Sequence, residues 1–135
     1  MANILVMFGF SWMVVAAIVG LLLAKRHETT LVDLEKIAAT GNLAEYHRVN
    51  DAYKWNKTVH AHAFLFSVVA VTVGLAMAKM GYSEQVINGL AIALMAAPPV
   101  WTVGGLLANR PLMAIGDLTL LVSVSMAAIG IAMAL

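Results

Sequence analysis

All four histidines of this chain, His27, His47, His60 and His62, fall between residues 27 and 62. The pair His60-Ala61-His62 stands where a charged stretch runs into an apolar one. Imidazole at such a boundary can ligand haem iron, copper or zinc, or carry protons. In a helix, residues two apart point about 200° from each other, so His60 and His62 face nearly opposite sides. One helix therefore offers a haem a single axial ligand, from His60 or His62, and His27 is the candidate second ligand. The same directions argue against both binding one copper or zinc ion, the alternative reading for the cluster, in which His27, His47, Asp51 or Asp117 would complete the ligand set. Nine methionines are scattered over the chain and read as packing rather than as a Cu(I) site.

The elements that must position these groups are membrane spans. The chain is 62% hydrophobic and 11% charged, against about 25% charged in a soluble domain. Four apolar runs, about 2–24, 58–78, 86–108 and 111–135, each meet the roughly 20 residues that a helix needs to cross a ~30 Å hydrocarbon core. Backbone in lipid must satisfy itself, so each run predicts a helix. The expectation is an all-α integral membrane protein, a single four-transmembrane-helix bundle. A cytoplasmic loop of about 33 residues, amphipathic and partly helical, joins helices 1 and 2. The first run has no basic leader and reads as a span rather than a cleaved signal. With no cysteine, thiolate metal sites, iron–sulfur clusters and covalent haem attachment are excluded. A net charge of +1 gives no nucleic-acid footprint.

Seven of the eight basic residues (Lys25, Arg26, Lys36, Arg48, Lys54, Lys57, Arg110) lie in the first and third loops, and only Lys79 lies in the second. That bias places both termini outside and the first loop in the cytoplasm. The expected setting is a prokaryotic cytoplasmic membrane. Within the loop, Thr29-Thr30 could cap a short helix with a stripe of Leu31, Leu34, Ile37 and Ala38, lying on the membrane surface. Thr40-Gly41-Asn42 ends it. Asn42 with Glu45 predicts a capping box, so the second helix is extended back to about residue 43. On it Tyr46, Tyr53 and His60 repeat every seven residues and share a face, with Lys57 nearby. Trp55 reads as an interfacial anchor.

Pro98-Pro99 predicts a kink in the third span, which could open a cavity beside the second helix. Asp117 in the fourth span lies at a depth similar to that of the histidine pair. A carboxylate there is expected to face the protein interior or to pair with Arg110. Ser123, Ala127 and Gly130 form a small-residue stripe suited to close helix approach, within the chain or with a partner.

The segment Val59-His60-Ala61-His62-Ala63-Phe64-Leu65-Phe66-Ser67-Val68-Val69 resembles a run of the type His-Ala-His-x-x-Leu-x-Gly-x-Val in small four-span relatives of haem–copper oxidase subunit I. Pro99-Val100, Gly105-Leu106 and Pro111-Leu112-Met113-Ala114-Ile115-Gly116 extend the similarity over roughly the last 75 residues. Ser67 stands where that pattern has glycine. The resemblance implies a haem b or metal ligand role for His60 or His62 in a respiratory-type membrane protein. It does not carry over a binuclear centre, whose other histidines have no counterpart here.

The leading expectation is a haem b electron-transfer subunit that exchanges electrons with a quinone or a partner redox protein. Lys57, Tyr53 and Asp117 would support the cofactor or handle protons. Other membrane subunits, or further copies of the chain, are expected neighbours in the bilayer. A cofactor-free accessory subunit is the alternative. A metal-handling or transport protein comes third, since the spans have little polar lining and no internal repeat.

Overall fold

The computed structural model describes residues 1–135, and it is all-helical. The helices are α1 (Ala2–Ala39), α2 (Leu43–Ala76), α3 (Glu84–Leu106) and α4 (Arg110–Ala132), with a 3-10 turn at Met77–Lys79. All four are long and apolar enough to cross a membrane. Only 25 of the 135 residues are buried, and the exposed surface includes Met7, Leu21, Leu75 and Leu121. Large apolar side chains on the outside are what a lipid-facing bundle needs.

The first loop differs from expectation. α1 does not stop near Ala24 but continues unbroken to Ala39, so there is no separate surface helix. Thr29 and Thr30 do not cap. Their hydroxyls donate back to the Arg26 carbonyl at 2.9 and 2.8 Å, which satisfies them within the helix. No glycine or proline lies between Gly20 and Gly41 to interrupt it. Leu34 of the expected stripe is buried, while Leu31 is exposed. The chain reverses at Gly41, whose φ of 72° is a left-handed conformation that glycine adopts without strain.

Asn42 caps α2 by accepting from the Glu45 N–H at 3.2 Å. The return half of the capping box is missing. Glu45 instead takes two hydrogen bonds from Arg48, at 2.8 and 2.6 Å, because a guanidinium offers a carboxylate a bidentate fit. That pair holds the Glu45 carboxyl below its usual range.

Close contacts fix the register of neighbouring helices. Val6 meets Gly74, Gly9 meets Val71, Gly20 meets His60 and His27 meets Tyr53, each pair of numbers adding to 80. α1 and α2 thus form one antiparallel hairpin along its full length. On α3 and α4, Gly104 meets Met113 and Gly116 meets Trp101. A Cβ on Gly116 would lie 2.6 Å from that of Trp101, so only glycine permits the approach. Trp101 also stacks on His62, which ties the two helix pairs together. Trp55 donates to the Gly105 carbonyl at 2.7 Å, so it is a cross-helix strut as well as an aromatic near the boundary.

These registers put Trp12, Val68, Met95 and Val122 at one level, the middle of the four apolar runs to within about two residues. At 1.5 Å per residue, His60 then lies about 12 Å from the middle, His62 about 9 Å and Asp117 about 8 Å, all within a ~15 Å half-thickness of hydrocarbon. Lys57 falls at the edge, about 16 Å out, and His27 and Tyr53 about 22 Å out. Beyond that, the α1–α2 hairpin projects a further ~20 Å as a helical stalk.

α3 is helical straight through Pro98-Pro99. No cavity opens there. Val59, Phe66, Ala97 and Trp101 fill the space beside α2. Ser123, Ala127 and Gly130 are buried, so the small-residue stripe serves packing within the chain. Gly130 receives the Tyr82 ring, whose hydroxyl donates to the Met126 carbonyl at 2.9 Å.

Candidate functional site

The sequence places His60, Lys57 and Tyr53 one and two turns apart on α2, and Gly20, Ala24 and His27 in the same rhythm on α1. The hairpin register turns both rows toward one cleft of about 480 Å³, lined by Gly20, Leu23, Ala24, His27, Tyr53, Lys57, His60 and Ala61. That volume is within the roughly 300–1,000 Å³ of small-molecule sites. Its inner end, formed by Gly20, Ala61 and the His60 ring, lies inside the hydrocarbon level. Its mouth carries a cation, a phenol and an imidazole at the headgroup level.

His60 forms the inner wall. Its ring lies against Gly20, where a Cβ would come within 2.6 Å of Cε1. Nδ1 is buried without a partner, whereas Nε2 is unpaired and open to the cleft. At the mouth, His27 Nδ1 and the Tyr53 hydroxyl are hydrogen-bonded. The Lys57 ammonium sits 5.1 Å from the centre of the Tyr53 ring, within cation–π range.

His62 belongs to a different environment, as the 200° separation requires. Its ring lies flat on Trp101, with centroids 4.3 Å apart and planes 6° apart. Nδ1–H donates to the Thr58 carbonyl at 3.0 Å, which fixes the ring and leaves Nε2 unpaired at the surface. His47 is exposed near the outer end of the hairpin, edge-on to Tyr46. The four histidines do not converge, and no three His, Asp or Glu side chains come together as a metal-binding group.

Asp117 departs furthest from expectation. It is exposed on the outer side of α4, lines no part of the cleft, and makes neither a hydrogen bond nor an ion pair with Arg110. The inward positions of α4 are taken by Gly116, Ser123, Ala127 and Gly130, and Asp117 lies 100° from Gly116.

Sequence reasoning missed Gly20, the cradle for the His60 ring, and the role of Trp101 as the platform for His62. The spacing of seven between Gly20 and His27 was a signal for the first. The second depends on α2–α3 register, which the sequence does not carry.

Haem b can be tested against these residues. An imidazole with an open Nε2, apolar residues beside it, a cation for a propionate at the mouth and a glycine that admits close approach are the features such a group needs. The residues fit. His27 lies about two helical turns, ~10 Å, from the His60 level, so it reaches the same cleft from the mouth rather than from directly opposite. No known protein family, curated protein or solved structure matches the chain, and the chemistry of the cleft rests on its own geometry.

Proposed function

We propose that this chain is a membrane-integral electron-transfer subunit that binds haem b in the α1–α2 cleft, where His60 would hold the iron. The observation that carries the reading is the open Nε2 of His60 at the inner end of a cleft whose mouth is cationic. Bound haem would supply a one-electron couple. The chain's own residues would do the rest. Gly20 and Ala61 leave room beside the ring. Lys57 offers its ammonium to an acidic substituent at the hydrocarbon edge. His27 lies at the mouth, about 10 Å from the His60 level, where its hydrogen bond with Tyr53 can hand a proton between water and the cleft. Electrons would pass to or from a quinone or a partner redox protein. The bias of basic residues supports placing the α1–α2 stalk in the cytoplasm and both termini outside.

The test is a dithionite-reduced minus oxidised spectrum of the protein purified in mild detergent. A sharp α-band in the b-type region is the expected result. A featureless spectrum, with no iron by elemental analysis, overturns the reading. The cofactor-free accessory reading would then stand, supported by the outward-facing Asp117, which has nothing to pair with in its own chain.

A further inference from the structure

The α4 surface poses a separate problem, independent of any cofactor in the cleft. Asp117 is exposed about 8 Å from the middle level, well inside hydrocarbon. A carboxylate facing lipid there is strongly disfavoured, and such groups face a protein neighbour instead. Its own chain supplies none. The outer face around it is otherwise apolar: Leu121 and Val124 are exposed beside the smaller Ala114, Ala128 and Ala132 on the same side of α4, a surface that another helix can cover.

Charge and depth identify what covers it. A two-fold axis along the membrane normal returns every residue of a second copy at its own depth, so only groups at one level can meet across it. By the register above, the titratable groups within the hydrocarbon on this side of the middle level are His60, His62 and Asp117, while Tyr82 lies on the other side with its hydroxyl on the Met126 carbonyl. His60 is turned into the α1–α2 cleft. His62 remains, about one residue from the Asp117 level, with its Nε2 unpaired and open. Both groups flank Trp101: His62 lies on its ring, and Gly116, next to Asp117, presses on its backbone.

We propose that a second copy of this chain docks on the outer face of α4, so that Asp117 of each copy meets His62 of the other. The contact is isologous and closes on itself. It satisfies two intramembrane carboxylates and two imidazoles at once. The Nδ1–H of His62 is held by Thr58, and its Nε2 shares one proton with the partner carboxylate.

The absence of native cysteine makes the test direct. Two differently tagged full-length copies are co-expressed in membranes, one carrying His62→Cys and the other Asp117→Cys, and then oxidised. The expected product is a disulfide-linked band bearing both tags, at least tenfold above that from Leu21→Cys with Asp117→Cys, since Leu21 is exposed on α1. A yield equal to that control overturns the proposal, as does exclusive crosslinking of the Asp117→Cys copy to a different membrane protein. In wild-type background, Asp117→Leu should reduce the dimer fraction in detergent at least tenfold, and Asp117→His combined with His62→Asp should restore it. An unchanged dimer fraction in Asp117→Leu also contradicts the contact.

Discussion

The two helix pairs solve different problems. In α3–α4, glycine is used to bring backbones together: Gly104 against Met113 and Gly116 against Trp101 leave no room for a methyl group. In α1–α2, Gly9 and Gly74 do the same toward one end, but Gly20 seats a side chain, the His60 ring, and the helices part below it into a cleft. The first pair leaves a groove of about 530 Å³ away from these contacts, between Val86–Ala93 and Leu118–Met126, and its lining is almost wholly apolar. The second keeps space and lines it with groups that can do chemistry. What separates the halves is thus the chemistry of the lining, apolar in one and carrying His60, Lys57, Tyr53 and His27 in the other.

Substitutions that fill space should separate the halves most sharply. Gly116→Val places new atoms against the Trp101 backbone, which cannot yield, and overpacking of this kind costs about 1–3 kcal/mol or more. A detergent-denaturation midpoint should fall accordingly. Gly20→Ala meets only the movable His60 ring, so the midpoint should change by under about 1 kcal/mol while any ligand in the cleft is lost. Equal destabilisation by the two would erase the distinction. Within α3 itself, Gly89→Ala meets no atom within 4 Å. It should stabilise by about 0.5–1 kcal/mol, the helical advantage of alanine.

Smaller effects probe the stalk of the α1–α2 pair. Asn42→Ala removes the cap of α2 and should cost about 1 kcal/mol, read as faster amide exchange in residues 43–46. The Glu45–Arg48 pair should contribute least, being on the surface. Its sign is fixed: the folded Glu45 pKa lies below the ordinary 4.5, so its stabilisation is present above that value and is lost as pH falls through the folded pKa. Arg48→Ala should abolish that acid dependence of exchange at the start of α2.

Much of this architecture was legible in the residues. Apolar run length gave four helices, and the Thr40-Gly41-Asn42 break gave the start of α2, because bilayer thickness and backbone satisfaction leave few options. The opposed directions of His60 and His62 followed from helical geometry alone. What was not legible depended on tertiary register. Nothing local in Asp117 distinguishes an inward from an outward carboxylate, since its direction is set by which side of α4 Gly116 and Ser123 present to α3. The capping box failed at Glu45 because Arg48, equally local, competes better for the carboxylate. The kink cavity at Pro98-Pro99 was filled by Trp101 and Phe66, whose meeting requires α2 and α3 to be in register.

The central claim is that the two imidazoles divide their labour, His60 serving the cleft and His62 the Trp101 surface. Its most direct test is the reduced minus oxidised spectrum of His60→Ala and of His62→Ala beside the unsubstituted protein. The account predicts a b-type band that disappears in His60→Ala and persists in His62→Ala. A band lost in His62→Ala and retained in His60→Ala would contradict it.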